Sequence, residues 1–255
     1  MTTVSARARR ATAISWVAPV GVTFWILKLI TTAFGEAASD GLAGISPALA
    51  VLVGVVGLAA TLRWQTRSHR FVPERYWAAV AAVAVFGTML ADGVHVALGL
   101  PYPVTSVLYA AATAAVFIAW RRTEGTVSIH DIVTVRREQF YWAAVMCTFA
   151  LGTAVGDLTA ATLGLGFFPS AALFAVMIAI PAIAWRCTRR HEVLWFWCAY
   201  VLTRPLGASI ADGFAKPRSF GHGLGFGDIP VAIVLGLALI GLVLVVVVPE
   251  QRREA

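Results

Sequence analysis

The chain has 255 residues, of which 59% are hydrophobic and only 13% are charged, and its mean hydropathy is +0.80. A soluble domain carries about 25% charged residues, so this composition excludes a soluble globular protein and predicts a polytopic membrane protein. The net charge of +7 does not indicate nucleic-acid binding, because the basic residues are distributed as in membrane proteins.

Two kinds of apolar segment alternate along the chain and together predict eight transmembrane helices. The first segment of each pair contains charged residues, and these segments span about 16–39, 76–98, 140–157 and 192–212. The second segment lacks charge and spans 41–62, 102–120, 158–185 and 229–248. About 20 apolar residues cross a bilayer. We therefore predict an all-α fold in a single membrane domain, residues 1–255, made of four two-helix repeats at approximately 16–64, 76–121, 140–186 and 192–248.

The basic residues predict the orientation of these helices. Sixteen of the twenty Lys and Arg residues precede the first helix, follow the last one, or lie in the links after the second and fourth and sixth helices. They are Arg7, Arg9, Arg10, Arg63, Arg67, Arg70, Arg75, Arg121, Arg122, Arg136, Arg137, Arg186, Arg189, Arg190, Arg252 and Arg253. The opposite loops hold only Lys216 and Arg218. The positive-inside rule then places both termini in the cytoplasm and gives all four repeats one orientation, as parallel repeats.

One motif occurs once in each repeat with identical spacing. An aromatic-Trp pair is followed by Gly ten residues after the Trp and by Asp five residues later; the copies are Phe24-Trp25…Gly35…Asp40, Tyr76-Trp77…Gly87…Asp92, Tyr141-Trp142…Gly152…Asp157 and Phe196-Trp197…Gly207…Asp212. Four copies at one spacing indicate a structural unit used four times. With the Trp as position 0, we interpret the Trp as an anchor at the membrane interface. We interpret the Gly at position 10 as a site of close helix packing.

Polar side chains recur on the helix face that carries the Asp of the motif. Positions 3, 7, 11 and 15 share one face, because they are four residues apart. They include Lys28 at position 3, Thr32 and Arg204 at position 7, Glu36, Thr88 and Thr153 at position 11, and Asp40, Asp92, Asp157 and Asp212 at position 15. Pointing charges at lipid costs several kcal/mol each. We expect these residues to surround a central cavity, with the charge-free helices as a lipid-facing wall; the alternative is that each Asp ends its own helix and caps the next.

Three charged residues receive individual interpretations. Glu36 lies in the middle of its helix, and an intramembrane carboxylate is a functional candidate by default. Lys28 can lose its proton on burial, whereas an Arg stays charged, so Lys28 is interpreted as a proton-coupling group or a counter-ion. Arg204, followed by Pro205, is interpreted as a fixed counter-charge at a kinked or broken helix. The glycine-rich segment 221–228 is interpreted as a flexible connection.

The repeats resemble a known family. The segment from Phe24 to Glu36, followed by Asp40, resembles the first repeat of a bacterial family of uncharacterised multipass membrane proteins with four tandem repeats, each with two transmembrane segments and a Trp. Segments 141–157 and 203–212 are similar to its third and fourth repeats. The resemblance covers about residues 16–248 and implies a protein of the bacterial inner membrane. It implies no particular activity.

The residues themselves favour a secondary transporter or exporter of a small cation. Carboxylates and hydroxyls suit hard divalent ions such as Mn²⁺, so Glu36 and the four Asp residues are candidate ion ligands, with Thr32, Thr88 and Thr153 as additional donors. Lys28 and Arg204 leave open an anionic or zwitterionic organic solute. An intramembrane enzyme and a scaffold are further alternatives, but no Walker, HExxH or CxxC motif occurs, and we expect no enzyme. We expect no cofactor and no nucleic-acid partner; membrane lipid, a small cation or solute and, as an open alternative, a second copy of the chain are the expected partners.

Overall fold

A computed structural model describes residues 15–188 and 190–249 of the chain. Six of the basic residues used to predict the orientation, Arg7, Arg9, Arg10, Arg189, Arg252 and Arg253, lie outside these ranges. The α-helices are α1 (Val22–Ile45), α2 (Pro47–Gln65), α3 (Pro73–Leu98), α4 (Tyr102–Glu124), α5 (Val135–Asp157), α6 (Phe167–Thr188), α7 (Glu192–Ala215) and α8 (Asp228–Leu242). Short π-helical segments, Leu158–Thr162 and Val243–Val247, follow α5 and α8. The all-α prediction is confirmed for the described residues.

Local sequence signals explain where several helices begin and end. Pro47 and Pro73 stand in the first turns of α2 and α3, where a missing N–H leaves no helical bond unmade. The Ser46 hydroxyl accepts a hydrogen bond from the Leu49 backbone N–H and caps α2. Gly99 and Gly125 end α3 and α4 in the left-handed region, at φ of 61° and 71°, which glycine adopts without steric cost.

The chain is a multipass membrane protein. Among the described residues, seven helices, α2 to α8 with the π-helical extensions of α5 and α8, are long and apolar enough to cross a membrane. The remaining helix, α1, has 24 residues but carries Lys28, Glu36 and Asp40 within it. Its polar face requires burial among other helices, which the packing of the bundle provides.

The first, third, fifth and seventh helices form an inner ring, and the others lie outside it. In the ring α1 contacts α3, α3 contacts α5, α5 contacts α7, and α7 contacts α1 again. Each outer helix packs mainly against the ring helix that follows it, as α2 does on α3 and α4 on α5, and α8 closes the circle by packing on α1. Between 11% and 28% of each outer span is buried, against 39% to 61% for α3, α5 and α7. The charge-free helices thus lie outside the ring and are the less buried ones; that they face lipid stays a prediction.

The motif glycines make the four contacts that close this ring. A Cβ added at Gly35 would overlap Ala84, one at Gly87 would lie 2.7 Å from Cβ of Phe149, and one at Gly207 would overlap Thr32. The fourth, at Gly152, would overlap Arg204. In every case the neighbour stands at position 7 of the next repeat in the ring. Small residues thus let adjacent ring helices approach closely, as the sequence predicted.

The motif tryptophans do not act as interfacial anchors, which corrects our interpretation. Trp77, Trp142 and Trp197 are buried, and Trp25 is half-buried. Their rings pack, tilted, against aromatic residues of neighbouring repeats; Trp77, for example, lies 5.8 Å from Phe24 between ring centroids. Because all four pairs stand near the start of the ring helices, their side chains fill the axis of the bundle there. We call this the aromatic end and the opposite one the acidic end.

A candidate cation site at the acidic end

Arg204 joins all four ring helices at one point. Its Nη2 donates to Glu36 Oε2 at 2.5 Å on α1, to Thr153 Oγ1 at 2.7 Å on α5, and to Thr88 Oγ1 on α3. Its Nη1 donates to the Thr32 backbone carbonyl at 2.8 Å. Arg204 is 1% exposed and Glu36 2%. The three polar residues at position 11 therefore share one guanidinium group.

The helix that carries Arg204 is continuous, which rules out the broken form of the kinked or broken helix that we expected at Pro205. α7 runs from Glu192 to Ala215 with Pro205 inside it. The Pro205 ring packs beside Gly152, where an added Cβ would lie 3.0 Å from its Cδ. Proline removes one helical hydrogen bond. Here the close packing on α5 holds the helix in place around it.

Lys28 lies one layer nearer the aromatic end and has no polar partner among the described residues. Its Nζ is buried without a hydrogen bond, and the residue is 1% exposed. The ammonium lies 4.0 Å from the ring centroid of Phe149 and 4.2 Å from that of Tyr200. A cation over two ring faces is stabilised by their quadrupoles. Lys28 is thus held by aromatic rings and makes no ion pair with Glu36 in the described structure.

Three carboxylates meet at the acidic side of Arg204. Glu36, Asp40 and Asp212 each offer an oxygen, and these oxygens lie within 4.8 Å of one another. Asp212 is 5% exposed, and its Oδ1 has no hydrogen-bond partner among the described residues. We call these three residues the carboxylate triad. α1 supplies two of them and α7 the third, across the seam between the first and fourth repeats.

Lys216 covers the triad from the loop that follows α7. Its Nζ donates to Asp40 Oδ2 at 2.6 Å and to Asp228 Oδ1 at 2.8 Å. Burial acts to lower the pKa of the Lys216 ammonium, but the carboxylates of Asp40 and Asp212 outweigh it and raise that pKa above its ordinary value. Lys216 therefore stays charged at neutral pH, paired with one member of the triad.

The glycine-rich segment 221–228 is held on the end of α7, which corrects its interpretation as a flexible connection. Its backbone N–H groups donate to the last carbonyls of the helix and to the residue after it: Leu224 to Gly213 at 2.8 Å and Gly227 to Ala215 at 2.9 Å, with Gly225 bonded to Lys216 at 2.8 Å. These carbonyls have no intrahelical donor at a helix end. The segment thereby fixes Asp228, and with it Lys216, beside the triad.

The structure brings together part of the predicted site. Glu36, Asp40 and Asp212 share the triad, and Thr88, Thr153 and Thr32 contact Arg204. Asp92 and Asp157 lie at the acidic end but outside the triad. The four repeats therefore contribute unequally, although their motifs have one spacing.

The aspartates do not cap the charge-free helices. α1, α3 and α7 continue past Asp40, Asp92 and Asp212 by three to six residues. The N-cap positions of α2, α4 and α8 are Ser46, Pro101 and Gly227. Asp157 ends α5, but a π-helical segment follows it directly. Helix capping does not explain the motif Asp in the described structure.

Sequence reasoning missed Lys216 and Asp228. Both lie in segments that we treated as connections, and neither belongs to the repeated motif. One signal was present: the chain has two Lys residues, and Lys216 stands only four residues after Asp212. With Lys28, Arg204 and Arg218, four basic residues stand against six acidic ones at this end and centre of the bundle.

Comparison with known proteins gives one match. A family model described as Repeat of Unknown Function (DUF347) matches residues 75–126, 140–191 and 195–252, which together exceed half of the chain. The matched ranges overlap the second, third and fourth predicted repeats, and tandem repeats are thereby confirmed; the repeat boundaries stay a prediction. Neither the curated proteins nor the solved structures compared with the chain gave a match.

Proposed function

The chain belongs to the DUF347 repeat family, and we propose that it is a secondary transporter of a small divalent cation such as Mn²⁺, with the carboxylate triad as its binding site. The observation that carries the proposal is the meeting of Glu36, Asp40 and Asp212, within 4.8 Å, inside an apolar bundle. Oxygen donors of this kind suit hard divalent ions. The unpartnered Oδ1 of Asp212 supports a ligand there, because a buried carboxylate oxygen without a partner is unfavourable.

The proposal includes a place and an orientation. We take α1 as the eighth span and the bacterial inner membrane as the location. The positive-inside distribution supports an orientation with both termini and the aromatic end in the cytoplasm and the acidic end outside. A cation then reaches the triad from the outer side, and the packed aromatic rings separate it from the cytoplasm.

Charge supports a cation as the substrate. Six acidic residues stand against four basic ones at this end and centre of the bundle, and a low-dielectric surrounding strengthens the attraction of a carboxylate for a positive ion. Arg204 already neutralises Glu36 in part, so Asp212 is the triad member most available to an incoming ion. We expect binding at the triad to draw α1 and α7 together at their seam, and transport to require release of that contact.

Cellular metal content tests the proposal. Cells expressing wild type, Asp212→Asn or Asp92→Asn would be loaded with a panel of metals and measured by elemental mass spectrometry. Asp92 is a matched control, because it holds the same motif position outside the triad. We expect a selective change in one divalent metal with wild type, its loss in Asp212→Asn and its retention in Asp92→Asn. No selective change for any metal with wild type would reject cation transport.

A second candidate is transport of a small anionic or zwitterionic organic solute. It is favoured by Lys28, whose buried Nζ lies over two aromatic rings and has no hydrogen-bond partner in the described part of the chain. This alternative predicts that Lys28→Met, and not Asp212→Asn, alters the cellular level of an organic anion in untargeted metabolite comparison. Unchanged metabolites in both variants would reject it.

A further inference from the structure

The outer side of the triad already holds a positive charge supplied by the chain. The Lys216 ammonium lies 2.6 Å from Asp40 Oδ2, in the position that a bound cation would take against that carboxylate. It is also bonded to Asp228 at 2.8 Å, and Asp228 is not a member of the triad. Lys216 can therefore leave Asp40 and keep a carboxylate partner.

This inference rests on the proposed function and concerns the selectivity of the same site. We propose that Lys216 is a selectivity-determining residue: its ammonium acts as a built-in monovalent cation on Asp40, which divalent ions displace and monovalent ions do not. A second observation points to a ligand at the triad, since the nearly fully buried Asp212 has an unpartnered Oδ1.

Charge balance gives the reason. Every ion that replaces Lys216 at Asp40 loses hydration, and a monovalent ion then only exchanges one single charge for another. A divalent ion brings one positive charge more than the Lys216 ammonium. This additional charge is attracted by Glu36 and Asp212, and such attractions are stronger in low-dielectric surroundings than in water. A cation therefore binds Asp40 only if its attraction to the triad exceeds that of the Lys216 ammonium, and divalent ions meet this condition where monovalent ions do not. When the ammonium is displaced from Asp40, it stays bonded to Asp228.

The test uses purified full-length protein in lipid nanodiscs, with Mn²⁺ alone as the probe. Mn²⁺ affinity would be measured for wild type, Lys216→Gln and Arg218→Gln in choline chloride and in NaCl of equal ionic strength. Arg218→Gln is the matched control, because it removes a positive charge from the same loop. Thermal unfolding of each variant would verify that it is folded.

We expect the wild-type affinity to be the same in both salts. In Lys216→Gln we expect Mn²⁺ to bind about tenfold more tightly in choline chloride, as for loss of one competing charge, and Na⁺ to weaken that binding. Arg218→Gln should behave as wild type. The inference is overturned if Na⁺ weakens Mn²⁺ binding equally in wild type and Lys216→Gln, or if Lys216→Gln, folded, binds Mn²⁺ no more tightly.

A further arm separates this inference from the proposed function. If neither wild type nor Lys216→Gln binds Mn²⁺, both proposals fall. If both bind Mn²⁺ and Asp212→Asn does not, but selectivity is unchanged in Lys216→Gln, the proposed function stands and the inference about Lys216 alone is rejected.

Discussion

The Arg204–Glu36 pair is the residue-level contact on which the centre of the bundle depends. Arg204 lies within hydrogen-bond distance of side chains on α1, α3 and α5 and of a backbone carbonyl on α1, so one guanidinium contacts four acceptors. Both members are almost fully buried. Removing one partner of a buried pair leaves an uncompensated charge, which is far more costly than removing both.

This contact predicts a non-additive pair of substitutions. We expect Arg204→Met, which leaves the Glu36 carboxylate without its cation, to lower the free energy of unfolding by about 3–5 kcal/mol. The double variant Arg204→Met with Glu36→Gln should recover part of that loss. Denaturation of the purified protein in detergent measures the free energy of unfolding of each variant. A loss of stability in the double variant equal to the sum of the losses in the two single variants would contradict the account.

The sequence predicted the residues of the centre better than their pairing. Glu36, Arg204 and the threonines at position 11 were identified, because polar residues four apart inside apolar helices require a buried face. Their common contact with Arg204 could not be predicted, since it joins helices more than 50 residues apart in the chain. Lys216 was missed for a related reason, because it enters the site from a loop.

At the scale of elements, the glycine contacts decide how closely the ring helices pack. Gly207 lies against Thr32 on α1, and this contact joins the last repeat to the first. Gly57, in the interior of α2, has no atom within 4 Å of an added Cβ and is therefore a matched control. The two positions differ in packing and share the same helical conformation.

We expect Gly207→Ala to destabilise the protein by about 1–3 kcal/mol, because the methyl group would force α1 and α7 apart. Gly57→Ala should change stability by less than about 1 kcal/mol and in the favourable direction, as alanine is the better helix former. Thermal unfolding of the two variants side by side measures the difference. Equal behaviour of the two would show that the glycine contact does not close the ring.

The elements also show where the interpretation of the motif was wrong. An aromatic pair near the start of an apolar helix is typical of an interfacial anchor. Here the fourfold repetition brings these pairs together around an axis, and the rings pack against each other. The repeat was visible in the sequence, but whether its copies face inward depends on ring closure, which local spacing does not encode.

At the scale of the whole molecule, the parallel repeats predict one orientation for every ring helix. The described part of the chain has a native probe at the aromatic end, Cys187, which is exposed near the end of α6. Ser219, in the loop after α7, lies at the acidic end. With Cys147 and Cys198 replaced by Ala, an impermeant maleimide should label Ser219→Cys in intact cells. Cys187 should be labelled only after the membrane is permeabilised. The reverse pattern would invert the proposed orientation.

Ring closure is the feature of the whole molecule that the repeats predicted only in outline. Equal spacing and equal orientation indicated parallel repeats about an axis normal to the membrane. Each of the outer helices α2, α4 and α6 packs mainly on the ring helix that follows it in the chain. The sequence did not predict this choice, because such an outer helix is joined by a link to the ring helix before it and to the one after it and could pack on either. This packing leaves the seam between α1 and α7 as the place where first and last repeats meet, and the triad lies on that seam.

The central claim, that the carboxylate triad carries a divalent cation across the membrane, is tested most directly by Mn²⁺ flux into proteoliposomes of purified protein. Wild type, Asp212→Asn and Asp92→Asn would be reconstituted at equal density with a Mn²⁺-sensitive dye inside. The account predicts flux with wild type and Asp92→Asn and at least about tenfold less with Asp212→Asn, as for the loss of one charged ligand. Equal flux with wild type and Asp212→Asn, or no flux above protein-free vesicles, would contradict it.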